Sequence, residues 1–228
     1  MGARKGFSPV VALLTIILLG LSPAISAEKS SPDSPRLVIE AGGHRSIIRE
    51  LLFTADGHEL VSVSDDKTIR IWEVAPDGRH AALARTIRGQ IGDGRAGMLY
   101  AAALSPLDAQ GKQRWLAVGG FLAGPEPMRY AVRLHDYASG EIVALLPGHT
   151  NVINALAFSP TGRWLASASK DRTIRIWDLS SLHDNRLTRP PLVLTGHTAP
   201  IYDLAWSSTG DRLVSASYDK TVGLWDTK

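Results

Sequence analysis

Residues 148–178 read GHTNVINALAFSPTGRWLASASKDRTIRIWD, and the pattern of this stretch decides the fold. Between His149 and Trp177 lie three short apolar runs. The first two are divided by Thr161-Gly162 and the second and third by Lys170-Asp171-Arg172, both of which are turn signals. Runs this short, bounded by turns, predict strands of a small antiparallel meander.

The pattern repeats along the chain. Counted from His44, His149 and His197, one spacing carries Gly57, Gly162 and Gly210, a second carries Asp66, Asp171 and Asp219, and a third carries Trp72, Trp177 and Trp225. Repetition at fixed spacing means a supersecondary unit that buries its apolar faces by stacking on its neighbours. In the first copy, strands are predicted over 48–53, 60–63 and 68–72. A degenerate copy lies between Gly89 and Pro147: Leu104-Ser105-Pro106 parallels Phe158-Ser159-Pro160, and Trp115-Leu116-Ala117 parallels Trp164-Leu165-Ala166. That copy has Arg95 where the others have histidine and His135 where they have tryptophan, with no aspartate at its tight turn.

Gly43-His44, Gly148-His149 and Gly196-His197, with Trp177-Asp178, Trp225-Asp226 and Trp72-Glu73, resemble the WD-repeat β-propeller family across residues 36–228. The resemblance implies an all-β fold, a WD-repeat β-propeller with four blades visible, the second degenerate, as part of a larger propeller. Blades are expected near 36–83, 84–141, 142–188 and 189–228. Lys228 falls just after a third strand, so either residues 36–40 supply a closing strand or more sequence follows.

The resemblance also implies a buried hydrogen-bond chain in each regular blade: His44, Asp66 and Trp72; His149, Asp171 and Trp177; His197, Asp219 and Trp225. Its serine is Ser62 or Ser64, Ser167 or Ser169, and Ser215 or Ser217. Imidazole, carboxylate and indole N–H are each costly to bury unpaired, so a complete chain would stabilise the blade. Ser, His and Asp also make a hydrolase triad. A constellation that occurs three times with a tryptophan attached is structural, and no G-x-S-x-G elbow accompanies it. No catalytic residue and no enzyme activity are expected.

Composition narrows the rest. The chain has 228 residues, no cysteine and 25 basic against 22 acidic residues. Arg4, Lys5, the apolar residues 10–21 and small residues up to Ala27 have the layout of a signal peptide over 1–27. Residues 28–35 (EKSSPDSP) read as a disordered linker. Without Arg4 and Lys5 the balance is 23 against 22, which leaves no basic footprint for nucleic acid. These features predict export to the periplasm or outside the cell, with no stable membrane insertion after cleavage. Residues 92–97 spell G-x-G-x-x-G, but Ser105-Pro106 stops the following segment before a helix could form, so no cofactor is expected. The histidines lack metal-ligand spacing, and no metal is expected.

What remains is a scaffold that binds a protein or peptide partner, or else the sensory or regulatory propeller portion of a longer multidomain protein. Loops before the first strand and between the second and third strands share one face of a meander. The degenerate copy enlarges both, over 89–97 and over 121–130 (FLAGPEPMRY). Long loops on rigid scaffolds often carry function. The expected partner-binding residues on this face are Arg49, Asp65, Phe121, Tyr130, Asn154, Lys170, Tyr202 and Tyr218, with Leu122 and Met128 as further apolar anchors.

Overall fold

Short alternating runs closed by glycine and aspartate turns pair into four antiparallel sheets. The computed structural model describes residues 43–89, 92–122, 125 and 127–227; the expected signal, the linker and residues 36–40 lie outside them. The first sheet runs β1 (Ile48–Phe53), β2 (Glu59–Ser64), β3 (Thr68–Val74), β4 (Ala81–Arg88), and the second β5 (Leu99–Leu104), β6 (Trp115–Gly120), β7 (Val132–Asp136), β8 (Ile142–Leu146). The third contains β9 (Ile153–Phe158), β10 (Trp164–Ser169) and β11 (Ile174–Asp178). A two-stranded hairpin, β12 (Leu182–His183) and β13 (Arg186–Leu187), precedes its fourth strand, β14 (Leu192–Leu194). The fourth sheet has three strands among the described residues: β15 (Ile201–Trp206), β16 (Arg212–Ser217) and β17 (Val222–Asp226).

Each sheet is a meander of neighbouring strands, as an all-β propeller blade is. The sheet limits differ a little from the expected blade limits. Fourth strands end at Arg88, Leu146 and Leu194, a few residues beyond 83, 141 and 188. The fourth strand carries no repeat residue, so only pairing with the third strand fixes its end.

The β2–β3 turn shows why aspartate recurs. Lys67 has φ of 71°, a left-handed conformation that strains an L residue. Asp66 stabilises it from both sides: its N–H donates to Ser64 Oγ at 3.1 Å, and its Oδ1 accepts from the Thr68 N–H at 3.0 Å. Arg172 and Lys220 take the same conformation beside Asp171 and Asp219.

The core sits between successive sheets. Val61, Val63, Ile69 and Ile71 pack with Leu99, Leu116 and Val118 of the second sheet. Ala117, Val132 and Leu134 meet Ile153, Leu156, Leu165 and Trp177 of the third. Ala166, Ala168, Ile174 and Ile176 meet Ile201, Leu204 and Leu213 of the fourth. Each fully buried Ile, Leu or Val contributes about 1.5–3 kcal/mol, so stacking of sheets supplies the stability that no single meander has.

Candidate binding face

In the first sheet, Nδ1 of His44 donates to Asp66 Oδ2 at 2.9 Å, and Nε2 accepts from Ser62 Oγ at 2.8 Å. Ser62 Oγ also accepts from Trp72 Nε1 at 2.8 Å. His149, Asp171, Ser167 and Trp177 repeat the chain at 2.8, 2.9 and 2.9 Å, and His197, Asp219, Ser215 and Trp225 at 2.8, 2.8 and 2.9 Å. The serine left open by sequence is therefore Ser62, Ser167 and Ser215. Ser64, Ser169 and Ser217 instead accept from the N–H of the turn aspartate.

Sequence reasoning missed one member. Thr68, Thr173 and Thr221 donate to Oδ1 of the same aspartates at 2.6, 2.7 and 2.5 Å. A threonine two residues after each turn aspartate was the available signal. Burial works against ionisation of Asp66, but bonds from Thr68, the Arg45 N–H and His44 outweigh it and hold the carboxyl down at about 2. Partial burial opposes ionisation of Asp171 too, but bonds from His149 and Thr173 carry it well below the ordinary range; Thr221 leads the same downward shift at Asp219.

The degenerate sheet has Val118 at the serine position. His135, where the others have tryptophan, is buried with Nδ1 bonded to the Gly140 carbonyl at 2.9 Å, and burial lowers its pKa. Arg133 beside it is buried, which pushes its guanidinium down to about 10.

The first strands carry the feature that builds the face. Each has an irregularity in pairing one residue in: Arg49 is skipped in the β1–β2 register, Tyr100 in β5–β6, Asn154 in β9–β10 and Tyr202 in β15–β16. A bulge adds an unpaired residue and re-aims its side chain. All four bulge residues line one recess of about 540 Å³, together with Asp65, Arg95, Met98 and Lys170. Of the expected partner-binding residues, the structure brings together Arg49, Asp65, Asn154, Lys170 and Tyr202. Tyr218 joins at the rim, its ring 6.4 Å from that of Tyr202 in an edge arrangement. Arg95 lies in the 89–97 loop expected on this face, while Met98 and Tyr100 were missed, although Tyr100 follows Arg95 at the spacing by which Arg49 follows His44.

Arg49 donates to Asp65 from Nε at 2.9 Å and from Nη2 at 2.6 Å, and its guanidinium lies 5.1 Å over the Tyr100 ring. That pair is internally neutralised. Arg95 and Lys170 form no ion pair among the described residues, so the lining carries net positive charge. A second recess, lined by the four first strands, contains Glu50 and Asp203. Burial raises the Glu50 pKa, and the Asp203 charge adds to the rise.

Phe121 and Tyr130 do not line the recess. They form an edge-to-face pair at 5.6 Å, and the Phe121 backbone bonds to Met98 and Gly97, beside the recess wall. Leu122 is buried and Met128 lines a groove along β8, so neither lines the recess. Residues 123, 124 and 126 of that loop, and 90 and 91 of the other, lie outside the described residues. Residues 93–97 form a turn leading into β5, a strand where a dinucleotide fingerprint needs a helix.

The WD domain, G-beta repeat family matches residues 34–73, 140–178 and 188–226. The chain is 31% identical over 148 residues to a nuclear distribution protein PAC1-2 of Uncinocarpus reesii, covering 60% of this chain and 30% of the relative. It is 27% identical over 143 residues to nuclear distribution protein nudF 2 of Penicillium rubens, covering 60% and 29%. With pre-mRNA-processing factor 19 homolog 2 of Arabidopsis thaliana it is 26% identical over 169 residues, covering 62% and 32%. The chain thus spans about 30% of the length of these relatives. Their names overturn the expected export: nuclear distribution and pre-mRNA processing are tasks inside a cell, and the periplasmic or extracellular assignment is corrected. Absence of cysteine fits any compartment, because packing and hydrogen bonds hold this fold, and the leader pattern lies outside the described residues. Three matched repeats over just over half of the chain, carried on antiparallel meanders of three or four described strands with the His–Ser–Asp–Trp network, show that the chain belongs to the WD domain, G-beta repeat family.

Proposed function

We propose that the protein is a non-enzymatic scaffold whose recess at the bulged ends of the first strands receives a protein or peptide partner. The observation that carries this reading is the convergence of Arg49, Tyr100, Asn154 and Tyr202, one bulge residue from each of four sheets, on one recess. Rigid sheets hold these groups in place, so little order is lost when a partner docks. Tyr100, Tyr202 and Tyr218 offer flat amphipathic contacts of the kind enriched at binding hot spots. Arg95 and Lys170 favour an acidic side chain on the partner. The Ser–His–Asp chains are spent on structure, since each serine also accepts from a tryptophan.

The test is affinity capture with the parent and with a double variant, Arg95→Glu and Lys170→Glu, from cells that express the gene. Partners held by the parent are expected to be lost with the variant while its melting temperature is kept. Retention of every partner defeats the reading. Coverage of about 30% of each relative supports a second reading, the propeller portion of a longer multidomain protein. Reading the transcript past codon 228 tests it.

A further inference from the structure

The link between third and fourth strands is short in the first two sheets, residues 75–80 and 137–141. In the third sheet it runs over residues 179–191 and folds into the hairpin β12–β13. The tip of that hairpin is Asp184-Asn185, both in the left-handed conformation (φ 46° and 62°) that a two-residue hairpin turn needs. Its base is held firmly. The Thr188 N–H donates to the Ser181 carbonyl at 3.0 Å, Arg189 donates to Asp178 at 3.3 Å, and Leu182 and Leu187 pack on the core around Ala144, Leu146 and Trp177. The insertion therefore has a fixed position, beside β8.

Between β8 and the returning leg of the hairpin lies a groove of about 700 Å³. Every residue from 142 to 147 lines it on one side and every residue from 185 to 191 on the other. Alternate side chains of a strand point to opposite faces, so an unbroken run of lining residues means that the edge of the strand, with its backbone N–H and C=O groups, faces the groove. β8 is the last strand of its sheet, and that edge has no partner strand.

Proteins commonly guard such an edge with charge. The outer strand of the first sheet, β4, carries Arg85 and Arg88, whereas β8 reads IVALL, with Ile142 and Leu145 46% and 40% exposed. Both strands have one irregularity in pairing, so charge is what separates them. The charge lies across the groove instead. Arg186 and Arg189 line it, and no acidic residue among the described residues does. Arg189 shares Asp178 with Arg163, and Arg186 forms no ion pair among the described residues.

We propose that the open edge of β8 takes an extended peptide segment of a partner protein as a fifth strand, with apolar side chains at alternate positions set into the groove and an acidic side chain met by Arg186 and Arg189. In such additions backbone pairing supplies affinity, and pockets for alternate side chains supply specificity. Three features choose this occupant: the free edge calls for extended backbone, the apolar strand for apolar side chains, and the two arginines for a carboxylate. The groove shares no lining residue with the recess at the first-strand bulges, so the two sites can be tested apart.

The test is selection of displayed random peptides on the 228-residue chain, followed by fluorescence anisotropy with the enriched peptides. These should alternate apolar residues and carry an acidic one. Arg186→Glu should weaken their binding about tenfold, because a like charge then faces the carboxylate. Ile142→Lys should abolish binding while β circular dichroism is kept, and Leu145→Lys replaces it should that variant misfold. Methylation of the peptide's own backbone nitrogens needs no variant at all. Adjacent N–H groups of a strand point to opposite sides, so methylation of one alternate set should abolish binding and methylation of the other should leave it in place. Failure to enrich any peptide overturns the proposal. Tolerance of methylation at both sets overturns it too, since the peptide backbone is then not paired. Binding that is kept by Arg186→Glu but lost with Arg95→Glu and Lys170→Glu places the peptide in the recess and refutes the groove. A dimeric parent that Ile142→Lys renders monomeric means that a second copy covers the edge, which also refutes it.

Discussion

Asn154 Nδ2 donates to the Ile201 carbonyl oxygen at 2.8 Å, so the bulge residue of the third sheet grips the residue just before the bulge of the fourth. A bulge leaves backbone groups out of the ladder, and a buried carbonyl without a partner is costly. Asn154→Ala should destabilise the chain by about 0.5–1.5 kcal/mol, the usual net worth of such a bond. Asn154→Asp should cost more, because a carboxylate would face the carbonyl dipole without a proton to offer. Urea denaturation of the three proteins ranks them, and an Asp variant as stable as the parent contradicts the ordering.

Removal of the turn aspartate should separate the regular blades from the degenerate one. Asp171→Ala strips His149, Thr173 and the Thr150 N–H of their acceptor. Its cost should be about 1–3 kcal/mol. Asp136 accepts from the Ser139 N–H at 2.8 Å and is partly exposed, so Asp136→Ala should cost less. Equal drops in melting temperature would show that the network adds nothing beyond an ordinary turn.

Acid should act through the same three aspartates. Their folded pKa values lie below the ordinary 3.8, with Asp66 at about 2 and Asp171 and Asp219 lower. A depressed carboxyl binds fewer protons folded than unfolded, so its stabilisation is complete above the unfolded value and fades as pH falls through the folded one. Stability is expected to hold down to about pH 4 and then decline steadily toward pH 2 and below. Asp171→Asn should flatten that decline while lowering stability at neutral pH. Melting temperatures at half-unit pH steps decide it.

Glu50 should behave with the opposite sign. Burial and the Asp203 charge raise its pKa, so the folded chain holds this proton longer and loses stability as pH rises through the raised value. Glu50→Gln is expected to raise the melting temperature at pH 7 and to leave it nearly unchanged at pH 4. An increase of equal size at both pH values would assign the effect to packing.

The loop of residues 121–130 and the tyrosine rim can be separated. Replacing that loop by a Gly-Ser link removes the Phe121–Tyr130 pair and also the buried Leu122, so melting temperature should fall. Tyr202→Ala together with Tyr218→Ala removes exposed rings and should leave melting temperature within a degree or two. Capture of partners should fail with the tyrosine pair. A chain that keeps its partners without Tyr202 and Tyr218 has its binding surface elsewhere.

The sequence by itself determined the repeat, the position of the first three strands of each copy and the residue types that recur in the three regular blades, because turn chemistry and apolar alternation are local and are written into each of those copies. It also brought Arg49, Asp65, Asn154, Lys170 and Tyr202 to one face, since meander geometry puts those loops together. Only the tertiary structure chose Ser62 over Ser64. Two residues apart on a strand, both point to one face, and the choice depends on which sits beside the Trp72 ring once β2 and β3 are in register. Tyr100 follows Arg95 at the spacing by which Arg49 follows His44, so the repeat marked its place; only the tertiary structure showed the bulge that re-aims it, because a bulge is a mismatch between two strands. Leu122 and Leu224 make the same point in opposite directions. Leu122 lies in a loop and is buried, while Leu224 repeats a core position and is 65% exposed. Apolar character is a property of the residue; burial belongs to whatever packs against it.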